Sequence, residues 1–417
     1  MKIAQILARE IYDSRGFPTL ECQIILDNDR SVIASVPAGA SKGIHEAHEL
    51  RDGGSRLFGK GVLKAKEIIE KKIAPELLFK KPDLFKADEF LLNLDSTEHK
   101  KKLGANTILA VSTAMVKAQA IAENMELYEL LAHLYGAESI SLPYPLFNII
   151  NGGAHANNKL RIQEFMIVPL KGSNFREGME LCATFFHSLK KTLKMAGRNT
   201  AVGDEGGFGV AFDDEIEALD YMVDVISKIG NGDQFAIAID VAASQFYDKK
   251  SRCYQWHDDF LTSDELIKLY TNLVEAYPLY SIEDPLDQDD WQGWVNLHEQ
   301  LGSKIQLVGD DLFASSIGRI KHGIVMGAAN TALIKPNQLG TISEVLYVIK
   351  ECVNDNMNVI LSHRSGETED TFIADLSVAT SIGQLKAGGC TRSENLAKYN
   401  RLLRIEDRLT VSLLSEF

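Results

Sequence analysis

Six short apolar runs in the second half of the chain carry an ionisable residue at or next to their ends. The runs are FAIAID, LYSIED, IQLVGD, TALIK, NVILSH and GQLK, and the residues are Asp240, Glu283, Asp310, Lys335, His363 and Lys386. Carboxylates are hard oxygen ligands, and three of them with no Cys nearby suit Mg²⁺ or Mn²⁺ rather than zinc. One such acid alone reads as a cap on the next helix or loop. Three in successive units, followed by two lysines, read better as a metal site. A lysine beside a divalent cation and other positive groups has its charged form disfavoured, which lowers its pKa toward that of a general base. Lys335 is therefore a candidate base, with a structural ion pair to the acids as an equal alternative.

Other polar clusters could serve the same site. VGDEGGFG places Glu205 in an acidic loop punctuated by glycines, and a tight turn is the plain alternative. NGGAHANN places His155 shortly before Gln163 and Glu164. LSHRSGETED puts His363, Arg364 and Ser365 directly after a strand-like run. A guanidinium, a hydroxyl and backbone donors together suit a phosphate. An Arg364 paired with Glu367 or Glu369 is the bland alternative. PAGASKGIHEA, around Ser41, contains Gly39 and Gly43 and could form a lid over a ligand, or a plain surface loop. GSRLFGKG, residues 54–61, matches a P-loop only through Gly59-Lys60. Gly61 stands where Ser or Thr would hold Mg²⁺, and no apolar strand precedes it, so an ATPase reading is rejected.

These residues need elements to hold them. Successive run ends lie 43, 27, 25, 28 and 23 residues apart, a spacing that fits one strand, one helix and two loops. Ile342, Val345, Leu346, Ile349 and Val353 form an apolar face at helical spacing, and Thr341/Glu344 and Thr262/Glu265 are candidate capping boxes. With FNII and EFMIVPL as further strands, the expectation is an eight-stranded α/β barrel. Strand ends in such a barrel converge on an active-site mouth. An open doubly wound sheet usually shows a glycine fingerprint after its first strand, and none is found. Upstream, TLECQIIL and SVIASVPA flank a turn at Asp27-Asn28-Asp29, and LGANTILAVSTAMVKAQAIAE reads as a helix. Composition shifts near Gly136, and SLPYP makes a linker. The expected domains are an α+β unit over residues 1–138, carrying the lid, and the barrel over 139–417.

Composition bounds the partners. The 417 residues carry 44 Lys plus Arg and 58 Asp plus Glu, a net charge of −14. That argues against a protein that mainly coats nucleic acid or an anionic membrane. A hydrophobic share of 45% and a charged share of 24% are those of a globular chain with a large core. No signal peptide is read at the N-terminus. The longest uncharged stretch, between Glu138 and Lys159, holds Pro143 and Pro145 and cannot be a membrane helix. Five scattered cysteines with no CxxC pair fit reduced thiols in a cytoplasmic protein.

Taken in order, YDSRGFPT, PAGASKGIHEAHELRD, LGANTILAVS, NIINGGAHANNKL, QEFMIVP, VGDEGG, SIEDP, VGDDL, IKPNQLGT, SHRSGETEDTFIADL and RSENLAKYN resemble the enolase family over nearly the whole chain. The resemblance implies a small N-terminal α+β domain and a modified eight-stranded barrel whose early units break strict alternation. It implies reversible, Mg²⁺-dependent dehydration of 2-phosphoglycerate to phosphoenolpyruvate, in glycolysis and gluconeogenesis. Two Mg²⁺ ions per site are implied, with Asp240, Glu283 and Asp310 on the first and Ser41 on the second. Lys335 matches the base at C2, and Glu205 the acid that assists loss of the C3 hydroxyl. A neighbouring carboxylate such as Glu164 is expected to keep Glu205 protonated. Gln163, Arg364, Ser365 and Lys386 match substrate-binding positions, and His155, Glu164 and His363 accessory ones. A homodimer or larger homo-oligomer is implied, with no nucleic-acid or membrane partner needed. A cytoplasmic location is expected, and a cell-surface pool is possible in the family.

Some positions depart from the family pattern. Phe17 replaces Asn, Ala38 and Lys42 replace Ser and Thr, Ala154 replaces Ser, Gln245 replaces an acid and Pro336 replaces Val. None removes a principal ligand or catalytic group. Two other readings compete: a related enzyme acting on a different carboxylate, and a purely binding or structural role. Arg364, Ser365 and Ser41 favour a phosphorylated substrate over the first. The set of Asp240, Glu283, Asp310, Lys335 and Glu205 speaks against the second.

Overall fold

The computed structural model describes the chain apart from residues 40–42, 171, 173, 231 and 416–417, and apart from the side chains of 232 and 411–415. Three strands open the chain: β1 (Ile3–Tyr12), β2 (Pro18–Leu26) and β3 (Ser31–Ser35). They form an antiparallel sheet in the order β1-β2-β3. β2 and β3 meet through the turn expected at 27–29, where Asp29 takes a positive φ of 63°. The sequence reading missed β1. Its pairing shifts register between Ile3 and Gln5, which blurs the alternation at its start. A helix over Ala105–Glu123, the one read from its Ala-rich run, packs on this sheet and is buried along nearly its whole length. Uniform burial explains its weak amphipathic pattern.

The remaining strands are β4 (Tyr144–Asn151), β5 (Glu164–Pro169), β6 (Phe235–Asp240), β7 (Tyr247–Asp248), β8 (Cys253–Trp256), β9 (Asp259–Leu261), β10 (Leu279–Glu283), β11 (Gln306–Gly309), β12 (Thr331–Ile334), β13 (Asn358–Ser362) and β14 (Gln384–Lys386). Eight of them close a barrel in the order β10-β11-β12-β13-β14-β4-β5-β6. Its interior is plugged by Leu146, Met166, Val168, Ala238, Val308, Leu333 and Ile360, with Tyr280 packed against them. The barrel is thus a filled core and not a pore.

Two departures from simple alternation matter for the site. β5 runs antiparallel to both β4 and β6, while the other barrel pairings are parallel. Its first residue therefore lies level with the last residue of β6, with Glu164 opposite Asp240. A reversed strand brings its N-terminal end to the mouth. The 43-residue interval after Asp240 also has a cause, because β7, β8 and β9 form a separate three-stranded sheet inside it.

Both expected capping boxes form, at Thr262/Glu265 and Thr341/Glu344. The helix Ile342–Asn354 buries Ile342, Val345, Leu346, Val348, Ile349 and Cys352. Val353, expected on that face, is instead about half exposed in the last turn. Residues 56–59 form a short surface turn with Phe58 exposed, consistent with rejection of the P-loop.

Candidate active site

Among the described residues, the predicted side chains reach the barrel mouth by separate routes. Asp240 and Glu283 end adjacent parallel strands in direct register. Asp310 follows β11, Lys335 follows β12, His363 follows β13 and Lys386 ends β14. Arg364 and Ser365 continue the chain past His363. Glu205 does not stand at a strand end. It sits in the turn between two long helices, Phe175–Met195 and Glu215–Ile229, and that turn folds back over β4, where Phe208 bridges Ile150. The turn is tight because Gly206 has a φ of +87° and a Cβ there would lie 2.8 Å from the Thr391 hydroxyl.

A small polar cavity is lined by His155, Gln163, Glu164, Glu205, Asp240, Asp310, Lys335, Ser362, His363, Arg364, Ser365 and Lys386. Glu283 joins them through Lys386. The predicted residues are thus brought together, except Ser41, which lies outside the described residues. Larger hollows elsewhere are more apolar and lack this chemistry, so size does not select the site here.

Charge is concentrated at the mouth. Lys386 Nζ donates to Asp240 Oδ2 at 3.0 Å and to both Glu283 oxygens at 2.9 and 2.8 Å, and lies 3.2 Å from Glu164. Burial disfavours its charge, but Asp240, Glu164 and Glu283 outweigh burial and hold its pKa well above the usual value. Lys335 Nζ pairs with Asp310 Oδ2. Burial again lowers and Asp310 raises, and Asp310 wins, so the Lys335 pKa is up. The sequence expectation was a lowered value. The lowering requires a bound cation to take up the charge of Asp310, which here pairs with Lys335 and accepts from Gln338 at 3.3 Å.

A second expectation is reversed at the acid pair. Glu205 Oε1 lies 3.6 Å from His155 Nε2, and Glu205 Oε2 lies 3.5 Å from His363 Nε2. Burial pushes the Glu205 carboxyl up, yet the two imidazoles and Lys386 hold it well below the usual range. Glu164 is pushed well up by burial and then by Glu205. The two titrate as one unit, with Glu164 the side held up and Glu205 the side held down.

Three contributors escaped the sequence reading. Asn148, on β4, donates its amide to Glu164 Oε2 at 3.1 Å and to Glu205 Oε2 at 3.3 Å. Asp284 accepts the backbone N–H groups of Asp310 and Asp311 at 2.9 and 2.7 Å, which fixes the end of β11. Glu46 pairs with Arg364 at 2.9 Å. Arg364 thus has an acidic partner, but neither Glu367 nor Glu369 pairs with its guanidinium among the described residues. Position gave a usable hint for Asp284, which directly follows Glu283. Glu46 is more than 300 residues from Arg364 and left no local signal.

The residues fit a hard divalent cation. Asp284, Asp310 and Asp311 bring one oxygen each within 4.8 Å of one another. Asp240, Glu283 and Asp310 are buried oxygen donors on adjacent strands. Acids outnumber bases at the mouth. Glu283 is pushed well up by burial and then by Asp240, and Asp311 to about 7 by burial and then by Asp310. Such mutual repulsion is what a bound cation would relieve.

Four of the departures from the family pattern are accommodated locally, and Lys42 lies outside the described residues. Gln245 donates to Gln163 Oε1 at 2.6 Å. Pro336 takes the first position of a short helix after Lys335, where its missing N–H costs nothing. Phe17 lies under the Lys60 ammonium at 3.6 Å. Ala38 exchanges backbone hydrogen bonds with Gly366.

Fold and site together define a class: a TIM-type barrel enzyme fold with a carboxylate-and-lysine mouth, completed by a smaller N-terminal domain. Two family models match the chain, the enolase N-terminal domain over residues 3–131 and the enolase C-terminal TIM barrel domain over residues 139–414. A curated relative, the enolase of Corynebacterium kroppenstedtii, is 47% identical over 411 residues, covering 98% of this chain and 96% of that protein. The chain belongs to the enolase family.

Proposed function

We propose that this protein catalyses the reversible dehydration of 2-phosphoglycerate to phosphoenolpyruvate. The observation that carries the reading is the joint presence, in one small cavity, of Lys335, Lys386, Arg364, the Glu164–Glu205 pair and the buried acids Asp240 and Asp310, with Glu283 bound to Lys386. A C2–H bond beside a carboxylate is very weakly acidic, and hydroxide is a poor leaving group. The site must therefore take a proton, stabilise the charge that develops and return a proton to the departing oxygen.

Lys335 takes the C2 proton once its own proton and its bond to Asp310 are released. Lys386, already among acids, meets the carboxylate oxygens on which charge accumulates. Glu164 and Glu205, aligned by Asn148, hold one proton for the leaving hydroxyl. Arg364 and Ser365 bind the phosphate, and Gln163 and His155 fix the remaining polar atoms. Asp240, Glu283 and Asp310 would hold Mg²⁺, and Ser41 with the substrate a second ion; the metal supplies Lewis-acid stabilisation of the developing charge. A domain boundary near residue 139, a homodimer or larger assembly, and a cytoplasmic setting belong to the same proposal. Among the described residues no helix is long and apolar enough to cross a membrane.

The test is absorbance of the enol phosphate formed from 2-phosphoglycerate, with Mg²⁺ and with a chelator. Turnover that requires Mg²⁺ is expected. No turnover at saturating Mg²⁺ would overturn the proposal.

A further inference from the structure

Arg364 is buried, with 4% of its side chain exposed, and so is its partner Glu46, at 8%. Glu46 Oε2 accepts from Nη1 at 2.9 Å and Oε1 from Nη2 at 3.2 Å. This is a two-point grip on a planar guanidinium, which fixes its plane as well as its position. Asn337 Oδ1 accepts from Nη1 at 3.1 Å and adds a third point. Glu46 Oε1 also accepts the backbone N–H of Gly43 at 2.9 Å. The same carboxylate therefore holds the N-terminal domain's loop and the barrel's arginine.

The surrounding segment is pinned from the same side. Gly366 and Ala38 exchange backbone hydrogen bonds, Ser14 N donates to the Glu367 carbonyl, and Ser14 Oγ donates to the Ser365 carbonyl at 3.3 Å. Residues of the N-terminal domain thus shape the barrel's anion-binding stretch.

We infer that Glu46 is a positioning residue that sets the pose of Arg364 for the substrate anion. The inference rests on the reading of Arg364 as a substrate contact. The direction of the effect follows from charge. After Glu46, the next acid acting on Arg364 is Asp310, which already serves Lys335. Without Glu46 the guanidinium is drawn toward Asp310 and away from an incoming anion.

Steady-state kinetics on Glu46→Gln and Glu46→Asp test this. Glu46→Gln should raise KM for 2-phosphoglycerate about 10-fold or more, with kcat within about 3-fold, the signature of lost binding common to ground and transition states. Glu46→Asp, which keeps the charge, should recover part of that loss. In an Arg364→Gln background, Glu46→Gln should add little further, because it acts through Arg364. If Glu46→Gln fails to fold, the Glu46→Asp variant and its Arg364→Gln double carry the same comparison. A KM that falls or stays level while the wild type turns over would overturn this inference alone, as would equal effects in both backgrounds. Absence of wild-type turnover would overturn the functional reading and this inference with it.

Discussion

Lys335 meets the cavity with its proton held in place by Asp310, so what it can do depends on what else binds that acid. As the base at C2 it must lose the proton that Asp310 now stabilises. Replacing it with alanine removes the only atom in the proposal that can accept the C2 proton. Lys335→Ala should lower exchange of that proton by about 10²–10⁴-fold or more. Mg²⁺-dependent substrate binding should remain detectable, because Arg364, Ser365 and Lys386 are untouched. Exchange measured by loss of deuterium from C2-labelled substrate decides it, and persistent exchange would assign the base elsewhere. The identities of the strand-end residues were legible in the sequence because each follows a short apolar run. Their protonation was not. That Glu205 is held low beside Glu164 depends on two histidines, one from the turn at His155 and one after β13, both facing Glu205. No spacing in the chain encodes that meeting.

At the scale of elements, helix caps form part of the join between the N-terminal domain and the barrel. The helix Ile342–Asn354 begins with backbone donors that need partners. Ile342 N donates to Ser112 Oγ at 2.9 Å, Ser343 N to Asp88 Oδ2 at 2.9 Å and Glu344 N to Thr341 Oγ1 at 3.2 Å. Two of these acceptors belong to N-terminal helices, Asp88 to Leu84–Leu94 and Ser112 to Ala105–Glu123. The Thr341 box was legible as a local pattern, and the Asp88 and Ser112 contacts were not, because they span more than 200 residues. Burial pushes the Asp88 carboxyl from 3.8 up to about 6, against the lowering bonds from Ser112 and Ser343. The folded state then binds a proton more tightly than the unfolded state. Stability from this group is full below about pH 4 and falls as pH rises to about 6, by about 3 kcal/mol in all. Urea unfolding of Asp88→Asn across pH should reveal it. The variant's stability relative to wild type should improve by about that amount between pH 4 and pH 7. A difference independent of pH would show that Asp88 ionises normally.

The whole molecule carries a charge of −14, and a surplus of acid is buried at the barrel mouth. Eight strands, their order around the barrel and the reversal of β5 together place that surplus. Periodicity alone anticipated a barrel and the resemblance a break in its early alternation, but the reversal of β5 stood in neither, since a strand's direction leaves no mark in its own residues. Buried like charges resist folding unless countered, and Lys335 and Lys386 counter only part of them. Mg²⁺ that binds the folded state and not the unfolded chain should therefore stabilise the protein, by about 2.7 kcal/mol at a hundredfold excess over its Kd. Thermal unfolding with added Mg²⁺ should show a rise of several degrees, reversed by chelator. NaCl at matched ionic strength should not reproduce it, because screening acts weakly on buried groups. Asp240→Asn should lose most of the rise, since it removes one of the strand-end donors. An equal rise in wild type and variant would place the stabilising ion away from Asp240, and an equal rise with NaCl would mean that general screening, not a bound cation, relieves the surplus.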